Sequence, residues 1–560
     1  MFLSVLGVFT VGCNTSSNLS SSEGISFPTV EITSPKDFSP YLKPFTATAL
    51  VTVPNGAPSD LKVRWFAGNR EVCPFETPDV QGGSKCEIAL KPTEKTISAE
   101  VIDRQKQTAT ATVNVLKDLV TEKVQRPNIV LVVVDTLRAD RLAVHGGDPK
   151  IAPNMNALAA EGIWYSRAFA QSGWTLPSFV SLWTGMYPHE HRVGRDANDR
   201  SQFGTLPEET ETLAESLLGA GYHTMAVVNN TFLAPSFGVQ QGFSVYSYQG
   251  ADNSDFRSAT QTTKKALSLI DEQKQDKPFF MVVHYMEPHM NLDPPSAVRG
   301  KFAAVDNPPV NVPFVGREAF ALTDKGGPSP GQLEYIFNLY NEEVLFVDLA
   351  LGKLVDGLKR RELWQDTLFV LTSDHGEEFW DHGGFEHGHS LMSVLTHIPL
   401  FATGPGIRGF GHSSVLVEHV DLYRTLLEVA GVQKVGRGRN LFVLSQWDKA
   451  LSSKGQVLER WGVSENILYG DPKVSMVTPN HRLIINQKEK QFAVWNVDSG
   501  GWETDILKDQ EREVHSKILI ENLSRVRGGI EAIQNVAGVR IPNRELFQQL
   551  KKLGYLEERE

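Results

Sequence analysis

The stretch Asn128-Ile-Val-Leu-Val-Val-Val134 constrains this chain more than any other. An unbroken β-branched run has no polar face, so its strand must be covered on both sides, as in a parallel sheet with helices on each face. Asp135 ends it. Beyond it, strand and helix patterns alternate. The spacing predicts a helix over Met155–Glu161, a helix over Thr210–Ala220 stopped by Gly221, and a strand over Thr224–Val228. A helix over Ser258–Gln273 and a strand over Phe279–His284 follow. Tyr340, Val344, Val347, Leu351 and Leu354 then share one helical face, and Thr367–Thr372 reads as a further strand. The alternation predicts a doubly wound, mostly parallel α/β domain over residues 126–435.

With 560 residues the chain exceeds one ordinary domain. Thr46–Val53, Lys62–Phe66, Thr96–Ile102 and Thr108–Val115 alternate with a period of two, and turn residues at Pro54–Pro58, Gly68-Asn69 and Gly82-Gly83 separate them. They predict a small β-sandwich over 27–117 in which Trp65 packs against the region of Cys73 and Cys86. The pattern resembles the immunoglobulin-like modules of bacterial surface proteins and carries no chemistry; its expected role is a spacer or binding module. Lys117–Pro127 is a polar linker. From about Gly436 the strand-like pieces Lys473–Val477, His481–Ile485 and Phe492–Trp495 come without helices between them. They predict an antiparallel sheet in a C-terminal α+β subdomain, 436–560, closed by a helix over Asn543–Leu553.

At the other end, Phe2–Gly12 is apolar but too short to span a membrane, and Cys13 and a Ser-rich polar run follow it. This reads as the h-region of a secretory signal. Its end resembles that of a bacterial lipoprotein signal, in which the Cys, here Cys13, is lipidated; signal and tether occupy 1–26. The resemblance implies export to the bacterial cell envelope, periplasm or cell surface, with membrane contact through the lipid anchor only. In such a compartment Cys73 and Cys86 pair, a loop closure worth ~3 kcal/mol. The net charge of −11 and the lack of any basic run exclude nucleic acid as a partner.

The chemistry-bearing residues fall where strands of an open parallel sheet end, the edge at which such sheets bind ligands. Asp135 follows the first strand, Asp374-His375-Gly376-Glu377-Glu378 follows the strand ending at Thr372, and His284–His289 follows the strand from Phe279. His382, His387 and His389 crowd a Gly-rich loop. In Gln171–Gly185, Thr175 precedes Leu176-Pro177 and an apolar helical run that Gly185 ends, so Thr175 either caps that helix or presents its hydroxyl beside the first-turn N–H groups. Two carboxylates, a hydroxyl and an imidazole suit a divalent cation: calcium, magnesium, manganese or zinc.

Several motifs in this order carry a wider resemblance. They are Asn128–Asp140, Trp174-Thr-Leu-Pro-Ser178 with Thr184-Gly185 and Pro188-His189, and Ser373-Asp-His-Gly-Glu377. Glu386-His-Gly-His389, Pro399-Leu400, His419–Leu422 and the closing Leu550–Tyr555 complete them. The chain from Arg126 to about Val432 resembles the sulfatase family of the alkaline phosphatase superfamily. The resemblance implies a metal-dependent ester hydrolase with Asp135, Thr175, Asp374 and His375 on the metal, and Thr175 as nucleophile. His289, with His387 or His389, would stabilise the transferred oxygens or protonate the leaving group.

Two departures direct the chemistry. Formylglycine-bearing sulfatases make that residue from a Cys or Ser followed by x-Pro-x-Arg; here Thr175 and Phe179 hold those places, and Thr136 replaces the family's second Asp. A plain Thr cannot eliminate sulfate from carbon, so its ester must be freed by attack at the central atom, which favours phosphorus. The expected substrate is a phosphate or phosphonate ester of a small molecule, glycan or lipid. A sulfuric ester hydrolase, a phospho-group transferase acting on cell-surface glycans or lipids, and a non-catalytic glycan-binding protein are the alternatives. Mass spectrometry of protein from its native host should find a lipidated Cys13 as the mature N-terminus; an unmodified Met1 would refute export.

Overall fold

The computed structural model describes residues 28–526 and 540–541, apart from 35–38, 41–44, 54–55, 90–95, 117–125, 196–201, 251–255, 274–276, 433–436 and 453–457. Cys13 with its signal and tether, most of the polar linker, and the helix expected over Asn543–Leu553 lie outside them. The chain divides into two compact units, Met1–Lys123 and Val124–Glu560.

In the first unit, Thr29–Ser34, Phe45–Thr52 and Gly83–Ile88 form a three-stranded sheet. Ser39–Pro40, Thr108–Leu116, Thr96–Ile102, Lys62–Ala67 and Arg70–Glu76 form a five-stranded one, in that spatial order. Alternate residues point inward, as strict alternation demands: Val63, Trp65 and Ala67 on one strand, Ile97, Ala99 and Val101 on its neighbour. With Ala47, Ala49, Val51 and Ile88 of the other sheet they make one core. Trp65 is fully buried and its indole N–H donates to Ser84 Oγ at 3.1 Å, which satisfies the one polar atom its burial would strand. Cys73 and Cys86 are bonded, with Cα atoms 6.1 Å apart, and so join the two sheets.

The second unit is built on a nine-stranded sheet. In chain order its strands are β1 (Asn128–Val134), β2 (Ile163–Phe169), β3 (His223–Val228), β4 (Val245–Tyr248), β5 (Phe279–Tyr285), β6 (Thr367–Ser373), β7 (His397–Ile398), β8 (Leu400–Thr403) and β9 (Gly411–Glu418). The spatial order is β4-β3-β5-β1-β6-β8-β2-β7, with β9 on β2. The run β4-β3-β5-β1-β6 is parallel throughout; β8 is antiparallel to β6 and β2, and β9 runs parallel to β2. Every residue from Ile129 to Val134 is fully buried, as its apolar run requires. Register sets the site: Val134 lies opposite Tyr285 on one side and Ser373 on the other, so neighbouring strands end at one level.

Three helix starts are set by capping residues. The helix expected over Thr210–Ala220 spans Leu213–Gly219, because Thr212 and Glu215 cap each other's backbone N–H groups. Ser258 caps Ala259–Glu272, and Ser329 with Pro330 at the first position starts Pro330–Arg360, whose Tyr340, Val344, Val347, Leu351 and Leu354 are all buried. Five antiparallel strands (Gly462–Glu465, Lys473–Val477, His481–Asn486, Gln491–Val497 and Glu503–Ile506) form the C-terminal sheet, preceded by a helix, Leu441–Ser452, that the sequence reading did not anticipate. From this sheet Arg482, fully buried, reaches Leu391 O (2.8 Å), Ser393 Oγ (3.0 Å) and Thr396 Oγ1 (3.1 Å) and pairs with Glu503 (2.6 Å).

Reducing the Cys73–Cys86 bond, or Cys73→Ser, should destabilise the first unit by ~3 kcal/mol. Calorimetry should show its transition move while that of the second unit stays.

Candidate active site

Asp135 leaves β1 through a strained turn. Thr136 has φ 55°, a left-handed conformation that costs a β-branched residue on the order of 1–3 kcal/mol and persists only where neighbours enforce it. Here they do. Tyr340 OH donates to Thr136 O (2.7 Å) and accepts from Arg138 N–H (2.9 Å). Ser373 Oγ donates to Val134 O (2.7 Å) and accepts from Leu137 N–H (3.0 Å). The turn directs the Thr136 N–H at Asp374 Oδ1, 3.3 Å away.

Thr175 begins its helix two residues earlier than the Pro177 signal suggests. The helix is Thr175–Thr184, with Trp174 as cap and no side-chain cap bond, so Thr175 is not a capping residue. Pro177 fits at the third position because first-turn N–H groups have no helical partner to lose. Gly185 ends the helix in the left-handed conformation, φ 66°. All ten helical residues are buried, and Ser178 Oγ donates to Asp374 O at 2.6 Å, fixing the helix start against the end of β6.

Asp135, Asp374 and His375, all wholly buried, bring ligand atoms within 4.8 Å of one another. His375 Nε2 lies 3.4 Å from Asp374 Oδ2, 3.8 Å from Asp135 Oδ1 and 3.4 Å from Thr175 Oγ1. Its Nδ1–H donates to Gly376 O at 2.9 Å, which leaves Nε2 with its lone pair facing the cluster. Gly376 is required there, since a Cβ would sit 2.0 Å from Val394 O. Asp135 Oδ1 and Asp374 Oδ2 are buried acceptors without a hydrogen-bond donor. Burial, then the charge of Asp135, push Asp374 well above the ordinary carboxylate range; burial opposes ionisation of Asp135 too, but His289, His284 and His375 outweigh it and hold Asp135 low. Burial, then His387, push His375 well down, so its ring is neutral. Two orphaned carboxylate oxygens, a neutral imidazole and a hydroxyl fit a divalent cation.

The other expected residues surround this cluster to different degrees. The His387 ring lies 4.6 Å from that of His375 and 4.9 Å from that of His289, centroid to centroid. His387 Nδ1–H donates to Glu377 Oε1 at 2.9 Å, and burial raises the Glu377 carboxyl to about 8. His289 Nδ1–H donates to Met290 O at 2.6 Å. His389 is instead tied to Glu378 at 2.8 Å, in a half-buried position. Arg138 joins Glu377 O, Asp381 and Asp140, which fastens this loop to the turn after β1.

Asn230 escaped the sequence reading, and His284, counted there in the stretch His284–His289, was given no role of its own. Asn230 Nδ2 donates to Asp135 Oδ2 at 2.7 Å and lies 3.4 Å from Thr175 Oγ1. His284 Nε2 lies 3.2 Å from Asp135 Oδ2, and Phe179 packs edge-on against its ring. Asn230 was within reach of the rule that singled out Asp135, since it follows the carboxyl end of β3. The sequence reading set His284 at the end of the strand with His289; it lies inside β5, one residue before its end.

Comparison with known proteins places this arrangement. Residues 127–432 match the Sulfatase family, and the chain belongs to that family. A protein described as "Sulfatase" from Formosa agariphila is 24% identical over 57% of this chain and 72% of its own length. Among solved structures, a "2-O GAG sulfatase" superposes with a TM-score of 0.57 at 17% identity, covering 74% of this chain and 95% of that one. The phosphonate monoester hydrolase of Agrobacterium radiobacter does so with a TM-score of 0.56 at 20% identity, covering 72% and 95%. The fold is thus the sulfatase-like α/β fold, and the protein is an ester-hydrolysing enzyme.

Asp135→Ala or Asp374→Ala should abolish activity and lower bound metal, measured by elemental analysis; equal occupancy in wild type and both variants would refute the ligand assignment. The raised Asp374 value gives a sign for pH. Without a cation the fold keeps a proton that the unfolded chain releases, so that stability is present below the ordinary carboxylate range and lost as pH rises through the raised value. Chelation should therefore lower the melting temperature more at pH 8 than at about pH 4, within the ordinary carboxylate range, read by paired thermal scans.

Proposed function

We propose that this enzyme hydrolyses phosphate or phosphonate monoesters through an unmodified Thr175 as nucleophile. The observation that carries the reading is the setting of the Thr175 hydroxyl. It stands at the start of a fully buried helix, 3.4 Å from His375 Nε2 and beside the Asp135–Asp374 pair. Phe179, buried against Trp183 and His284, occupies the place where formylglycine sulfatases have Arg. Asp135, Asp374, His375 and the Thr175 oxygen would hold a cation, whose positive charge would ease loss of the hydroxyl proton and offset charge on the transferred oxygens.

In the first step Thr175 Oγ1 bonds to phosphorus, its proton passes to solvent, and the ester P–O bond breaks. The departing alcohol oxygen takes a proton from His289 or His387. Water then bonds to phosphorus, the bond to Oγ1 breaks, and Oγ1 takes a proton from solvent as the free phosphate or phosphonate leaves. Burial, then His289, push His387 well down, so it enters the cycle neutral. A neutral His387 can receive the proton of the attacking water in the second step and release it to solvent, and His289, the acid of the first step, regains its proton from solvent.

A sulfuric ester, on a small molecule or glycan, is the second reading. Membership of the Sulfatase family supports it, as does the likeness to a 2-O GAG sulfatase. It requires displacement at sulfur in both steps, because Thr175 cannot eliminate sulfate. Export and anchoring through Cys13 belong to the same proposal and would place the site at the cell envelope; among the described residues no helix is long and apolar enough to cross a membrane.

The test is purified protein with several divalent cations against aryl phosphates, aryl phosphonates and aryl sulfates. Phosphorus esters should be turned over faster. Thr175→Ala should lose on the order of 10³-fold or more in kcat while keeping its fold, and Thr175→Ser should keep partial activity. Aryl sulfate turnover far above every phosphorus ester would instead establish the second reading.

A further inference from the structure

Asn230 sits just past the end of β3 and is fully buried. Its Oδ1 accepts the Phe232 N–H at 2.9 Å, capping the short turn Thr231–Leu233. That contact settles which way the amide faces: oxygen toward the turn, NH₂ toward the site. One N–H reaches Asp135 Oδ2 at 2.7 Å, and Thr175 Oγ1 lies 3.4 Å from the same nitrogen.

The neighbours of Thr175 Oγ1 give this contact its meaning. His375 Nε2 lies 3.4 Å from it, and that nitrogen bears no hydrogen, because Nδ1–H is the atom that donates to Gly376 O. Phe179 supplies no donor. The Asn230 amide, by contrast, has an N–H placed to donate to the Thr175 oxygen. By engaging Asp135 Oδ2, the same amide also leaves Oδ1 as the oxygen facing Asp374 and His375.

We infer that Asn230 is a catalytic hydrogen-bond donor to Thr175 Oγ1, and that it serves both halves of the reaction. The inference rests on Thr175 being the nucleophile. Negative charge gathers on Oγ1 when the hydroxyl attacks and again when the bond from phosphorus or sulfur to Oγ1 breaks. A donor fixed in a dry site stabilises both transition states with no reorganisation, an effect of about 10²–10³ in rate for one such donor. The neutral amide also leaves the cluster's charge unchanged, where a Lys or Arg at this place would compete with the cation for Asp135.

Asn230→Asp separates this role from the structural one, because it retains the oxygen that caps Phe232 N–H and removes the donor. With cation saturating, kcat should fall about 10²-fold with KM within about threefold. Asn230→Ala, which adds no charge beside Asp135, should show a similar kcat loss at saturating cation. Rapid-quench mass spectrometry gives the decisive readout: adduct on Thr175 should form about 10²-fold more slowly in Asn230→Asp than in wild type. Wild type that forms the Thr175 adduct, with Asn230→Asp forming it at an equal rate, would overturn the inference and leave the nucleophile standing. A loss in both variants that saturating cation fully restores would overturn it too. Wild type with no adduct on Thr175 from any ester would remove the nucleophile reading, and the inference with it.

Discussion

Two carboxylates meet in the interior of this protein, and the rest of the site depends on that meeting. Asp135 and Asp374 follow adjacent parallel strands whose last residues, Val134 and Ser373, lie opposite each other. Parallel register thus delivers both acids to one point, fully buried, where like charges repel and water cannot screen them. Such a pair persists only if a cation or a proton lies between them. The neutral His375 ring and the orphaned oxygens Asp135 Oδ1 and Asp374 Oδ2 show which of these the fold is arranged for.

Around this pair the protein is rigid in a specific way. The left-handed Thr136 is held by Tyr340 and Ser373, and Tyr340 belongs to the long helix Pro330–Arg360, packed in the same core as β1. Arg138, with five hydrogen bonds to Glu377 O, Asp381 and Asp140, locks the two ligand-bearing turns together. Local strain is stored in one residue and restrained by several others, the arrangement expected where geometry serves chemistry.

How much of this the sequence disclosed depended on whether a residue's role was local. The unbroken run Ile129–Val134 announced a strand buried on both faces, and the end of that strand marked Asp135. Thr175 stood out through Pro177 and Gly185, although the helix begins earlier than Pro177 suggested, since a proline at the third position forfeits no helical bond. Asn230 had no local signal, because its partners, Asp135 and Thr175, are remote in sequence. His284 was noted with His289 at the end of its strand, but its contact with Asp135 was not legible. The burial of Arg482 depends on carbonyl and hydroxyl groups of residues 391–396, which no local pattern encodes. His387 and His389 looked equivalent in one Gly-rich loop, and the structure separates them: one faces His289 and His375, the other is tied to Glu378.

Arg482 also bears on how such a protein can diversify. Its guanidinium is enclosed by the loop that follows His387 and His389, so the C-terminal sheet and the rim of the catalytic cleft share one anchor. Neither can drift alone: a change that shifts the sheet strands a buried charge, and a change that reshapes the loop removes that charge's partners. The terminal sheet is thereby fixed to the segment that follows the histidine loop, and a change in one is felt in the other.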